Sequence, residues 1–152
     1  MTEALRLDTS GTANVDVDVS DTAIAPEVDE QALALAMAIA NAADDRKAED
    51  IAILQVGDAS YLADYFVIAT GFTNVQVRAI ARSIESTLEA DHGRSPLRTE
   101  GADEGKWVIY DYGEVIVHIF QPRERDYYDL EAFWGHVKRL EFIPTPPPGI
   151  GQ

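Results

Sequence analysis

The three histidines of the chain, His92, His118 and His136, are the first candidates for chemistry, because imidazole serves as a general base and as a metal ligand. His92 stands at the predicted end of a helix, where a cation suits the helix dipole, so a capping role is favoured. His118 falls in the middle of a predicted strand and is interpreted as a half-buried, hydrogen-bonded residue. His136 is interpreted as a surface residue. No two histidines share a metal-ligand spacing, so metal catalysis is not indicated.

Carboxylates and a glycine-serine turn form the second candidate site. The segment from Gly57 to Ser60 follows a predicted strand and is weakly similar to the Gly-Ser loop of nucleotidyltransferases. Those enzymes also hold Mg²⁺ with paired strand carboxylates, whereas Asp64 and Asp111 stand alone on separate strands. Phosphate-binding glycine motifs are absent from the sequence. We therefore expect neither an enzyme nor a cofactor, and the rival hypothesis is a nucleotidyltransferase-like enzyme or nucleotide-binding protein that uses Ser60, Asp64 and Asp111.

Composition limits the class of protein and the kind of partner. The chain has 152 residues, no cysteine and a net charge of -15, from 27 acidic and 12 basic residues. Disulfide frameworks and thiolate metal sites are therefore excluded. The longest apolar stretch, Ala32 to Ala40, is too short for a membrane span of about 20 residues, and no secretory signal is visible. We expect a cytoplasmic protein that makes no sequence-specific contact with nucleic acid, and its charge is compatible with a basic protein partner.

Both ends of the sequence differ in composition from the middle. Residues 1–28 are acidic and lack aromatic side chains, which predicts a disordered acidic tail. Residues 143–152 contain a run of prolines that favours an extended polyproline conformation. A single domain over residues 29–142 is predicted between these tails.

The first half of this domain shows two helices and two strands. A helix is predicted over Asp29–Ala43 by its alanine content and apolar spacing. The short apolar runs Ile51–Val56 and Tyr65–Thr70 are typical of buried strands. A capping box that begins at Thr73 predicts a second helix, which continues to about His92.

The second half is predicted to be mostly strand. Pro96–Glu100 is typical of an edge strand, because proline cannot donate to a strand ladder. Trp107–Tyr112 and Glu114–Phe120 predict a hairpin that turns at Gly113. Pro122 then opens a helix to about Lys138. This order predicts an α/β (α+β) fold with a single mixed sheet of about five strands and helices packed on it.

Alternation along the hairpin separates its side chains into two faces. With the turn at Tyr112-Gly113, Asp111 opposes Glu114 and Trp107 opposes His118. One face is mostly aliphatic and suits a helix-covered core. The opposite face combines polar-edged rings with apolar side chains; it carries Trp107, Ile109, Ile116, His118 and Phe120. This second face is either a partner surface or is also covered by a helix, and alternation alone leaves both open.

Four stretches of this sequence closely resemble the ribosomal silencing factor family, also called RsfS or Iojap-like proteins. The resemblance extends from about Asp29 to Leu140. Its motifs are ADYFVIATG at Ala63–Gly71, Glu100-Gly101, the run from Gly105 to Phe120 that contains DYGEVIVHIF, and YYDLEAFWG at Tyr127–Gly135.

The resemblance implies a fold like the nucleotidyltransferase core but without catalytic residues, in a protein that is not an enzyme. It implies binding to the large ribosomal subunit through large-subunit protein fourteen. Binding there would block joining of the small subunit and repress translation when nutrients are scarce. Homodimers are also implied. A dimeric adaptor for ribosome assembly is the remaining alternative.

The resemblance also implies a binding surface on the hairpin. Trp107 matches the tryptophan of the family's G-x-W motif and is assigned as the anchor of the contact. In the predicted register, Ile109, Ile116 and His118 share its face and line the contact. The Y-D-L-E motif places Tyr127, Tyr128 and Leu130 nearby. An alternative role for Asp111 is to hold the hairpin turn.

Overall fold

A computed structural model of the chain describes residues 16–145, with side chains from residue 30 onward. The predicted proline-rich tail therefore lies mostly outside the described residues. The chain divides into two units between Gln31 and Ala32, and the sheet described below belongs to the second unit.

Ten elements follow one another along the chain. They are α1 (Asp16–Asp45), β1 (Glu49–Gln55), β2 (Tyr65–Thr70), α2 (Asn74–His92), β3 (Arg98–Glu100), β4 (Trp107–Asp111), β5 (Val115–Phe120), α3 (Pro122–Tyr128), α4 (Leu130–Phe133) and β6 (Lys138–Leu140).

Helix α1 begins at Asp16, earlier than the predicted start at Asp29. The predicted disordered tail lies outside the described residues over 1–15, while residues 16–28 belong to this helix. Valine and aspartate have low helix propensity, and Pro26 removes one backbone donor, so local sequence favours a later start. Extending an existing helix adds one hydrogen bond for each residue fixed, which local propensity does not reflect.

The sheet is mixed and has six strands in the order β3-β4-β5-β2-β1-β6. The pair β2–β5 is parallel and the other neighbouring pairs are antiparallel. The predicted fold class is confirmed, with one strand more than the predicted five. The prediction of a helix to about Lys138 is wrong beyond Phe133, because α4 ends there and Lys138 begins β6, which pairs with β1.

Helix α2 has the predicted ends. The Thr73 hydroxyl accepts a hydrogen bond from the Gln76 amide at 3.0 Å. In a capping box the Gln76 side chain would accept a hydrogen bond from the Thr73 amide. In the structure it accepts one from the Phe72 amide instead, at 2.8 Å. Gly93 ends the helix in the left-handed region, with φ of 62°. These bonds satisfy helix-end groups that would otherwise lack partners.

The hairpin of β4 and β5 pairs two residues away from the predicted register. Trp107 pairs with Phe120 and Asp111 with Ile116, so the loop is Gly113-Glu114 rather than Tyr112-Gly113. The predicted register is therefore wrong. Because side chains alternate with a period of two, a shift of two residues leaves both predicted faces unchanged.

The main core lies on the aliphatic face of the hairpin. Val108, Val117 and Ile119 are fully buried there and belong to one cluster with Ile39 of α1 and Ile80 of α2. Each such side chain stabilises the fold by about 1.5–3 kcal/mol through removal of apolar surface from water. The helix-covered face is thus confirmed, and it leaves the opposite face of the sheet as the candidate binding surface.

Candidate protein-binding face

The face that carries Trp107 is an aromatic cluster built on β4 and β5. The Trp107 ring stacks on Phe120, with centroids 4.9 Å apart, and lies 4.5 Å from the ring of Tyr128 in α3. Strand alternation brings Trp107 and Phe120 to the same side, and Pro122 begins the helix that carries Tyr128 over them. We call this part of the face, formed by Trp107, Phe120 and Tyr128, the Trp107 end.

A hydrogen bond fixes the orientation of Trp107. Its indole Nε1–H donates to Nδ1 of His118 at 3.2 Å. His118 is 7% exposed, and its burial lowers the pKa to about 4, so the imidazole is neutral near pH 7. Since Nδ1 accepts, the ring proton is on Nε2, which has no hydrogen-bond partner among the described residues. The prediction of a hydrogen-bonded histidine is confirmed, with deeper burial than expected.

The other end of the face is open. Ile109 and Ile116 are half-buried, and together with His118 they line a groove of about 250 Å³. The alternative of a covering helix therefore holds at one end of the face only. Helix α3 covers the Trp107 end, whereas no helix of the described residues lines the groove at the isoleucine end.

The Y-D-L-E residues lie on both sides of a break between two short helices. Tyr128 packs on Trp107. The ring of Tyr127 lies beside that of Tyr128, with the two centroids 5.0 Å apart. Tyr127 is 79% exposed and Tyr128 48% exposed. Leu130 is half-buried and packs against a buried cluster on the same side of the sheet, which includes Phe66 and Phe120. The structure thus brings Tyr128 onto the predicted anchor, places Tyr127 beside Tyr128 and gives Leu130 a supporting position.

An ion-pair network holds α3 and α4 against the sheet. Arg125 makes a bidentate pair with Glu131, at 3.0 and 2.8 Å, and donates to the Thr70 hydroxyl at 2.8 Å. Arg139 of β6 also donates to Glu131, at 2.9 Å. These cations keep the pKa of Glu131 below its usual value. The network links β2, α3, α4 and β6, so it fixes the helix that carries Tyr128.

The sequence analysis missed the loop between β1 and β2 as part of this face. Leu62 is 67% exposed and lines the groove together with Ile109 and Ile116, while Tyr61 beside it is fully exposed. Periodicity gives no signal in a loop. The only available signal was the presence of two adjacent large side chains in a segment of otherwise small or polar residues.

The residues of the rival enzyme hypothesis have local structural partners. The Ser60 hydroxyl accepts from the Leu62 amide at 2.9 Å, and the Asp111 carboxylate accepts from the Gly113 amide at 2.8 Å. Asp111 thus holds the hairpin turn. Among the described residues, no group of three or more His, Asp or Glu side chains is placed to hold a metal ion.

Neither of the remaining histidines lines the groove. His92 is exposed in the last turn of α2, and His136 is exposed beside the ring of Trp134. Within residues 16–145, no helix is long and apolar enough to cross a membrane.

The fold and this surface define a mixed α/β domain with a partly open aromatic sheet face. A family profile described as "Ribosomal silencing factor during starvation" (RsfS) matches residues 29–148. The chain therefore belongs to the ribosomal silencing factor family, as its motifs predict.

Individual relatives agree with this assignment. The chain is 46% identical over 96 residues to ribosomal silencing factor RsfS of Bacillus subtilis, covering 63% of this chain and 80% of that protein. It is 32% identical over 124 residues to the chloroplastic protein Iojap of Arabidopsis thaliana, covering 82% of this chain and 51% of that protein. A crystal structure from Chromobacterium violaceum matches with a TM-score of 0.64 and 34% identity, covering 80% of this chain and 92% of that one.

Proposed function

We propose that this protein binds the large ribosomal subunit through large-subunit protein fourteen and blocks joining of the small subunit, so that it represses translation when nutrients are scarce. Family membership supports the ribosomal role. The observation that carries the proposed site is Trp107, a half-buried tryptophan at one end of a partly open apolar face.

The chemistry of this face suits a protein partner. Interface anchors are enriched in Trp and Tyr because these rings combine a large apolar area with a polar edge. Trp107 has both, and its hydrogen bond to His118 holds the ring in place before binding. A side chain that is already ordered loses less entropy on association. Trp107, Tyr127 and Tyr128 form the contact surface in this proposal, with Ile109, Ile116 and His118 beside them.

The charge of the chain supports a basic partner and argues against a large contribution from bare RNA. A net charge of -15 favours association with a basic ribosomal protein and repels phosphates. The proposal includes action in the cytoplasm, formation of a homodimer and the absence of catalytic activity.

Co-sedimentation with purified large subunits tests the proposal directly. We expect the wild-type protein to migrate with large subunits and to reduce the yield of joined ribosomes when small subunits are added. Truncation of an interface anchor costs about 2–4 kcal/mol of binding, so Trp107→Ala and Tyr128→Ala should each weaken both effects at least tenfold. Leu97→Ala, an exposed apolar residue outside the face, is the matched control.

Two results would contradict this proposal. Wild-type protein that fails to migrate with large subunits would exclude the ribosomal contact. Variants at both Trp107 and Tyr128 that fold and still bind normally would place the contact elsewhere on the surface.

Thermal unfolding with nucleoside triphosphates and Mg²⁺ tests the non-catalytic part of the proposal. A ligand at 100 times its Kd stabilises a folded protein by about 2.7 kcal/mol. We expect no shift of Tm, because Ser60 and Asp111 are engaged in local turns. A concentration-dependent rise in Tm would support the nucleotide-binding rival.

A further inference from the structure

The loop between β1 and β2 presents two large apolar side chains to solvent at the edge of the binding face. Tyr61 is fully exposed and Leu62 is 67% exposed. Single exposed apolar residues are common and need no explanation. These two are adjacent, and Leu62 lines the groove that contains Ile109, Ile116 and His118. The exposed pair is thus continuous with the proposed contact surface.

Backbone hydrogen bonds hold this loop in shape. The amides of Val56 and Gly57 both donate to the Asp64 carbonyl, at 2.9 and 3.1 Å, and close the neck of the loop. The Asp64 amide donates to the Glu114 carbonyl at 2.8 Å, which ties the loop to the β4–β5 hairpin. Near the tip, the Leu62 amide donates to the Ser60 hydroxyl. A loop held in this way loses little conformational entropy on binding.

The groove beside Leu62 has a volume of about 250 Å³ and a lining that selects apolar groups. Its apolar lining is formed by Leu62, Phe66, Ile109 and Ile116, with neutral His118, and its charged residues are Arg98, Glu100 and Asp111. With two carboxylates and one guanidinium, the charged part is nearly balanced and favours neither a strong cation nor an anion. A fully desolvated apolar pocket with a polar rim is the usual setting of an interface anchor.

We infer that Leu62 forms one wall of a groove that receives one aliphatic or aromatic side chain of the partner protein, and that Tyr61 beside it adds exposed apolar area to the same contact. This inference rests on the proposed function and extends its contact surface from the hairpin to the β1–β2 loop. The contact is continuous because His118 lines the groove and also accepts the hydrogen bond from Trp107. Trp107 anchors one end of the surface, and Leu62 with the groove anchors the other.

The test uses the full chain and purified large subunits. Leu62→Glu places a charge at the mouth of the groove, and Leu62→Ala removes the wall without adding charge. We expect an affinity loss of at least tenfold for Leu62→Glu and about threefold to tenfold for Leu62→Ala and Tyr61→Ala. The control is Leu97→Glu, a matched change at a leucine that is 76% exposed and outside the groove lining. All variants should keep the wild-type Tm within about 2 °C, since these side chains are exposed.

The outcomes separate this inference from the proposed function. Normal binding by both Leu62 variants, with weakened binding by Trp107→Ala, would overturn the role of the loop and keep the proposed function. Failure of the wild-type protein to bind would remove both. If Leu62→Glu instead dissociates a dimer of the free protein and leaves subunit binding unchanged, the groove holds a second copy of this chain and the inference is overturned.

Discussion

His118 is a histidine that the fold keeps uncharged. It is 7% exposed, and burial lowers its pKa from the ordinary 6.5 to about 4. In the unfolded chain the imidazole takes up a proton as the pH falls below about 6.5, whereas in the folded protein it resists protonation down to about pH 4. The unfolded state therefore binds more protons in this window, and folding stability falls as the pH falls.

We predict that the free energy of unfolding decreases by up to about 3 kcal/mol between pH 6.5 and pH 4 because of His118. Denaturant titrations at a series of pH values measure this slope. His118→Gln has no titrating group at this position and should show a flat profile from pH 6.5 to about pH 5. The carboxyl groups of Glu114 and Glu131 have lowered pKa values, so they account for a further loss of stability below about pH 4.5 in both proteins. Identical slopes in the two proteins would show that His118 titrates normally.

Among the helices, α3 depends on the ion pair that joins it to α4. The Arg125 side chain is 10% exposed and Glu131 is 23% exposed, so solvent screens this pair only in part. We predict that Arg125→Ala lowers the free energy of unfolding by about 2 kcal/mol, since it leaves Glu131 with Arg139 as its remaining donor and leaves the Thr70 hydroxyl without the Arg125 bond. Chemical denaturation measures the change.

Arg123→Ala is the matched control for this prediction, because Arg123 lies in the same short helix and is exposed. Its effect on stability should stay within about 0.5 kcal/mol. Hydrogen exchange across residues 122–128 should accelerate in Arg125→Ala and stay unchanged in the control. An Arg125→Ala protein as stable as the control would show that the network is dispensable.

The turn between β3 and β4 depends on Gly101. A Cβ atom at this position would lie 1.9 Å from the carbonyl oxygen of Trp107, and φ is +83°. We predict that Gly101→Ala costs about 3 kcal/mol of stability, because the backbone must shift as well as accept strain. Gly93→Ala is the control: φ is +62° but nothing lies within 4 Å, so only about 1–2 kcal/mol is expected. Equal losses in thermal unfolding would show that the close approach to Trp107 does not matter.

The local sequence pattern predicts correctly those helices and strands in which the spacing of apolar residues follows the buried side of the element. Alternation places Trp107 and His118 on one face even though the predicted pairing is wrong, and the capping residues Thr73 and Gly93 give both ends of α2. The last helix is different. Asp129 has φ of +46° and divides it in two, and a charged three-residue strand that begins at Lys138 follows, held by pairing with β1. These features depend on contacts distant in sequence, which local pattern does not contain.

The sequence likewise predicted some features of the candidate site and missed others. Alternation gives the residues of the face but not which part of it is covered. The Trp107 end is covered because Arg125 holds α3 in place, and the Ile116 end is open because no helix of the described part reaches it. Leu62 joins the face through the neck of its loop. Each of these outcomes depends on tertiary hydrogen bonds.

At the scale of the whole molecule, charge and the apolar face contribute to different steps of the proposed binding. In that proposal the net charge of -15, which acts over a Debye length of about 10 Å at 0.1 M salt, affects the approach of the partner. The Trp107 face would act at contact and so affect the lifetime of the proposed complex. Association rates respond to long-range charge, whereas buried anchors change mainly the dissociation rate.

We therefore predict that salt and mutation change different rate constants when isolated large-subunit protein fourteen is the partner. Raising the salt concentration from about 0.05 M to 0.3 M should lower the association rate constant about tenfold, with little change in dissociation. Trp107→Ala should raise the dissociation rate constant at least tenfold and leave the salt dependence of association unchanged. Surface plasmon resonance measures both constants. With whole large subunits the salt effect should shrink or reverse, because RNA phosphates repel an acidic protein and salt screens that repulsion. Association with the isolated protein that does not respond to salt would assign complex formation to the apolar face alone.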